Sequence, residues 1–240
     1  MIRAERRGAV AVLTIDRHER RNAVDAETLR DLLAAIDDTA DARVLVLTGA
    51  GGHFCAGADL SDVEGGEFVV VLWRVLLALR DTPLPVIAAV EGAALGAGTQ
   101  LAVACDLRVA AADARFGIPA AKLGLMVDQW TVQRLALLAG HGPARAMLLA
   151  AEVLDGEAAW RAGLVQRLGG LDEALAWADE IATLAPLTIA GHKLEINRLE
   201  PEVGADPDVR AALARAWASA DLAEGMAAFG ERRPPGFHGR

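Results

Sequence analysis

Two glycine-rich stretches hold the residues best suited to chemistry. "TGAGGHFCAGADL" spans residues 48–60 and "EGAALGAGTQL" spans 91–101. Glycine and alanine leave a backbone N–H unshielded, so a ligand atom can approach it closely. The second stretch reads as a helix opening on small residues, where the first N–H groups lack internal partners and the dipole favours negative charge. Two such donors aimed at one point make an oxyanion hole, suited to a thioester carbonyl whose oxygen gains charge during reaction. Either stretch alone reads more simply as a tight turn packing strand against helix. The pairing of the two carries the chemical reading.

The other reactive residue types form no comparable set. Cys55 and Cys105 have no CxxC spacing and sit among apolar residues, so neither a disulfide nor a zinc site is expected. The five histidines are scattered, with no spacing that would put two on one face as metal ligands. A net charge of −9 argues against nucleic acid as a partner. An anionic ligand would need a local basic patch, which "RHERR" (17–21) supplies.

Elements that could position the glycine-rich loops are visible as apolar runs. Strands are expected at 9–15, 43–49, 85–92 and 105–114, and an amphipathic helix at 25–40 carries Leu29, Leu32, Leu33 and Ile36 on one stripe. From about residue 130 the pattern turns helical, which suggests an α/β core followed by a helical extension. The division expected is a core over 1–185 and a helical region over 186–240. The longest apolar run, "FVVVLWRVLLAL" (68–79), is short and carries Arg74, so no membrane insertion is expected. The N-terminus lacks the order of a signal peptide, and a cytoplasmic protein is expected.

Four motifs in order resemble those of the crotonase (enoyl-CoA hydratase/isomerase) superfamily: "IDRHERRNAV", "VLTGAGGHFCAGADL", "GAALGAGTQLAVACDLRVAAADARFGIP" and "FGERRPPGF". The likeness covers almost the whole chain and extends to divergent actinobacterial hydratase paralogues. It implies an α/β spiral of ββα units, C-terminal helices used in trimer contacts, and a homotrimer or dimer of trimers. It implies an acyl-CoA or enoyl-CoA ligand, with coenzyme A as part of that ligand and no separate cofactor. Carried over by position, the oxyanion donors fall on the N–H groups of Ala58 and Ala97. The CoA-binding positions fall on Arg20, Arg21, Ala23 and the segment Ala56–Leu60, including Asp59 and Leu60. Arg232, Arg233 and Phe237 fall where a neighbouring subunit's CoA site would be completed.

The pattern breaks where hydration chemistry resides. The two glutamates of the family's hydratases align with Gln100 and Ala120. Glutamine exchanges no proton near neutrality and alanine can neither donate nor accept, so hydration is expected to be weak or lost. Asp128 falls where some isomerases and a dehalogenase of the superfamily carry a catalytic aspartate. It also stands just before a helix, where aspartate is a favoured cap, and the capping role is the stronger expectation. Met126 and Trp130 are expected to line the acyl pocket, with core packing as the alternative for Trp130. The outcome is a thioester-binding protein, or instead an isomerase or hydratase using Asp128 as acid/base.

Overall fold

The computed structural model describes residues 1–39, 41–60, 66–200 and 206–239. Ala40, the last residue of the helix expected over 25–40, lies outside them. Strands β1 (Ile2–Arg7) and β2 (Val10–Ile15) form an antiparallel hairpin. Parallel pairing then adds β3 (Val44–Gly49), β4 (Val86–Val90), β6 (Leu107–Ala110) and β9 (Arg167–Leu168), giving the order β1-β2-β3-β4-β6-β9. A second sheet has the order β5-β7-β8, from β5 (Ala93–Leu95), β7 (Arg115–Gly117) and β8 (Val153–Asp155). The helices are α1 (Ala26–Asp37), α2 (Glu67–Asp81), α3 (Ala97–Ala104), α4 (Gln129–Ala139), α5 (His141–Leu149), α6 (Gly156–Arg161) and α7 (Leu171–Ala182). Three more follow: α8 (Pro186–Arg198), α9 (Pro207–Trp217) and α10 (Ala220–Glu231).

The central strands are near-continuous apolar runs because both of their faces are covered. Val10, Val12, Val44, Val46, Ile87 and Ala89 pack beneath Ala174 and Ala178 of α7. The alternate residues Leu13, Ile15, Leu45, Leu47 and Ala88 point the other way, into a larger core with Leu29 and Leu32 of α1 and Val75 and Leu76 of α2. The period of two along each strand makes this partition. The apolar run at 68–79 is α2, a 15-residue helix with one buried face. No helix among the described residues is long and apolar enough to cross a membrane.

The helical character expected beyond residue 130 is present, with three differences, one being that the short strands β8 and β9 also fall there. The stretch 207–230 is two helices, interrupted where Ser219 caps the second by accepting from the Leu222 N–H. Residues 186–198, which show no apolar stripe, are also helical and begin with Pro186, a residue preorganised for the first helical turn.

Candidate functional site

The two glycine-rich loops meet at their glycines. Gly57 has φ +120° and Gly96 has φ +53°, conformations that side chains rarely adopt. A Cβ on Gly96 would lie 3.9 Å from the Gly57 Cα, and one on Gly98 would lie 2.0 Å from the Cys55 carbonyl oxygen. At Gly98 only bare backbone allows this approach. Two bridges hold it: Cys55 N–H donates to Ala93 O (2.8 Å) and Leu95 N–H to Cys55 O (3.0 Å). On the other side of the loop, Val24 N–H donates to Gly57 O (2.9 Å) and Asp59 N–H to Val24 O (2.8 Å). That pattern turns the N–H of Ala58 away from Val24.

Ala97 is the first residue of α3, whose N-terminal amides point out of the helix. Among the described residues, the N–H groups of Ala58 and Ala97 have no hydrogen-bond partner. Both residues line one cavity of about 770 Å³. Orphaned amides are rare inside proteins unless something else occupies them.

Side chains of the first loops serve as struts. Asn22 is fully buried, and its amide donates to Ala50 O (2.8 Å) and His53 O (2.5 Å) while its Oδ1 accepts from Arg17 N–H (2.9 Å). Arg17 donates to Ala23 O (2.5 Å) and pairs with Asp25 (2.7 Å) and Asp59 (3.2 Å). Burial works to raise the Asp25 carboxyl, but hydrogen bonds from Thr28 and the Arg17 charge outweigh it and hold it below its ordinary value. Within "RHERR", then, Arg17 is a half-buried tie, whereas Arg20 and Arg21 are exposed and line the cavity together with Ala23. The His53 Nδ1 accepts from Ala93 N–H (3.1 Å), a further structural bond.

The cavity wall is mostly apolar. Ala56, Ala58, Asp59, Leu60, Gln100, Ala120 and Met126 all line it, as expected of their positions. Trp130 does not. It is 1 % exposed and sits in the core, with its Nε1–H donating to Glu200 Oε2 (2.7 Å), so its expected place in the pocket is corrected. The pocket surface there belongs to Trp73 of α2, which meets Trp130 edge-on at 6.0 Å between centroids. The C-terminal helices supply a roof that sequence reasoning missed. Leu213 and Trp217 of α9 and Phe229 of α10 line the cavity, and Trp217 Nε1–H donates to Met126 O (2.9 Å). Gly124 and Gly225 permit this docking: a Cβ on either would strike backbone of the opposite segment within 2.4 Å.

Asp128 is a helix cap that also lines the cavity. Its Oδ1 accepts from Thr131 N–H (2.8 Å), and its Oδ2 accepts from the Thr131 hydroxyl (2.6 Å) and Gln100 Nε2 (2.9 Å). The second Gln100 N–H is donated to Thr131 Oγ1 (3.0 Å), so both of its donors are committed. Ala120 places a methyl group on the wall, in a 3-10 turn over Pro119–Lys122. Burial pushes the thiols of Cys55 and Cys105 up to about 12, which leaves no reactive thiolate near neutrality. At the C-terminus, Arg233 pairs with Glu224 and Glu231 of its own chain.

The site is a mostly apolar cavity with two main-chain donors on its wall that have no hydrogen-bond partner among the described residues. The sequence matches the family described as enoyl-CoA hydratase/isomerase over residues 5–240, and the chain belongs to that family. It is 47% identical over 236 residues to the probable enoyl-CoA hydratase echA6 of Mycobacterium bovis, covering 96% of this chain and 97% of that protein. Among solved structures, an enoyl-CoA hydratase from Mycobacterium avium subsp. paratuberculosis is 28% identical with a TM-score of 0.85, covering 99% and 98% of the two chains. A methylmalonyl-CoA decarboxylase in complex with 2-nitronate-propionyl-CoA is 25% identical with a TM-score of 0.91, covering 100% and 98%. The fold is that of the crotonase superfamily, as its motifs led one to expect, and members of the family act on acyl-CoA thioesters.

Proposed function

We propose that this protein binds a fatty acyl-CoA thioester, with the thioester carbonyl oxygen held by the N–H groups of Ala58 and Ala97, and that its hydratase activity is weak or lost. The observation that carries the reading is the pair of unpartnered amides on an apolar cavity whose carboxylates are all committed. Among the described residues only Asp59 and Asp128 bring a carboxylate to the wall. Asp59 is paired with Arg17, and Asp128 accepts three hydrogen bonds. Adding water across a double bond requires a group that takes a proton from the water and one that delivers a proton to carbon. Gln100 and Ala120 offer neither. CoA would enter past Arg20, Arg21 and Ala23, where exposed guanidinium groups suit phosphates, and lie along Ala56–Leu60.

The second reading keeps turnover. Asp128 does face the cavity, so an enoyl- or dienoyl-CoA isomerase or hydratase using it as acid/base is the alternative. Calorimetric titration with dodecanoyl-CoA, run beside a spectrophotometric assay of crotonyl-CoA hydration and a double-bond shift assay, separates the two. Tight binding without turnover supports the first reading. Turnover that Asp128→Asn abolishes supports the second, and absence of binding removes both.

The same reading places the protein in the cytoplasm as a homotrimer or dimer of trimers. Leu187 and Leu199, 87 % and 84 % exposed at the two ends of α8, support an apolar contact between copies. Analytical ultracentrifugation tests it: a monomer at micromolar concentration would remove the oligomer.

A further inference from the structure

A second, smaller cavity of about 120 Å³ adjoins the first and shares Trp73, Met126, Val127, Asp128 and Leu213 with it. The two lie in series along α9. Trp217 and Leu213 line the larger cavity, whereas Leu213, Arg210 and Val209 line the smaller one. The seven residues from Trp217 back to Arg210 span about 10 Å of helix. The smaller cavity shares none of the entrance residues Arg20, Arg21 and Ala23, so it extends the larger one elsewhere than at that entrance.

The cations follow a pattern along this path. Arg20 and Arg21 stand at the entrance, Arg210 at the far end, and among the described residues no lysine or arginine lines the wall between them. Arg210 is exposed, and among the described residues its guanidinium has no hydrogen-bond or ion-pair partner. Its aliphatic stem walls the chamber while its charged head stays in water, as long basic side chains do. The carboxylates between the two ends are neutralised or committed, as described above. A channel that is cationic at both mouths and mostly apolar between them, with Asp128 at the junction held by Gln100 and Thr131, fits a ligand anionic at both ends.

We infer that the site accepts the monothioester of a long dicarboxylic acid with CoA, the CoA phosphates at Arg20 and Arg21 and the distal carboxylate at Arg210. This rests on the thioester-binding reading. A carboxylate there would form a charge-assisted, bidentate pair with the guanidinium. At a solvent-exposed position such a pair is worth a few-fold in affinity, and salt weakens it.

The test compares dodecanedioyl-CoA with dodecanoyl-CoA by calorimetry at low salt. The diacid thioester should bind about fivefold tighter, and the ratio should fall to about one in Arg210→Gln and invert in Arg210→Glu. Succinyl-CoA, with a chain of only four carbons, is the short-chain control and should show no dependence on residue 210. Equal binding of the two long ligands to the wild-type protein, or a preference that persists in Arg210→Gln, overturns the inference and leaves the thioester reading standing. If neither ligand binds, both fall.

Discussion

Gln100 and Asp128 act as one unit, so a carboxylate at position 100 would not fit as Gln100 does. Gln100 donates both of its N–H groups, to Asp128 Oδ2 and to Thr131 Oγ1, and so helps hold the cap of α4. Gln100→Glu would replace a donor by a second carboxylate against Asp128, forcing one of the two to hold a proton. Alone, this change should cost about 1–3 kcal/mol of stability and yield no measurable hydration. Adding Ala120→Glu and Asp128→Gly supplies both acids and removes the clash, and hydration of crotonyl-CoA should then rise by about 10²-fold or more over the parent. Robust hydration from Gln100→Glu by itself would contradict this account. Gly98 makes a sharper demand. A methyl group there would sit 2.0 Å from the Cys55 carbonyl oxygen, so Gly98→Ala must separate the loops that carry the two amides. Dodecanoyl-CoA affinity, measured by calorimetry, should drop at least about tenfold, since both donors act only when brought to one point.

Helix α8 shows how an element can be fixed by polar contacts that no pattern announces. Its only buried residue is Lys193, whose ammonium donates to Leu79 O (3.2 Å), Leu84 O (2.8 Å) and Asp106 Oδ2 (2.7 Å). Burial pushes the Asp106 carboxyl up from its ordinary value, and the Lys193 charge and hydrogen bond work against that rise. Removing one partner of a buried pair leaves the other uncompensated, at a cost of about 3–5 kcal/mol. Lys193→Met should therefore lower the melting temperature by about 10 °C, as read by differential scanning calorimetry. Asp106→Asn in the same chain should recover part of the loss. A shift under about 2 °C would mean that α8 is held by something else. This anchoring explains what could be read beforehand. Strands β2, β3 and β4 are legible because parallel strands covered on both faces must be apolar throughout. Helix α1 is legible because one face is buried and the other wet. Helix α8 has neither signature, since what ties it to α2 and the core is polar: Lys193, and Asn197 donating to Arg80 O (2.7 Å).

The candidate site divides in the same way across the molecule. Its loops are local, so glycine and alanine spacing announced them, while Ala58, Ala97, Gln100, Ala120 and Met126 were assigned to the site through the family resemblance, and all five line the cavity. The roof is not local: Trp73, Leu213, Trp217 and Phe229 come from α2, α9 and α10, and only chain closure brings them together. Trp130 was misplaced for that reason, because its adjacency to Asp128 in sequence does not say which way the ring turns. The end of the chain shares in this closure and carries its own pH dependence. Arg233 pairs with Glu224, and Glu224 Oε1 also accepts from Gly236 N–H (2.8 Å), folding the tail back along α10. The Arg233 hydrogen bond, followed by that of Gly236, lowers the Glu224 carboxyl to about 2 from an ordinary value of 4.5. Because the folded value is depressed, this clasp contributes fully above about pH 4.5 and is lost as the pH falls through about 2. The Gly236 amide resonance should report it directly in a proton–nitrogen NMR titration. Its midpoint should lie near 2 in the parent protein and move towards 4.5 in Arg233→Gln. A midpoint already near 4.5 in the parent would show that Arg233 leaves Glu224 in solution and that the tail is not clasped to α10.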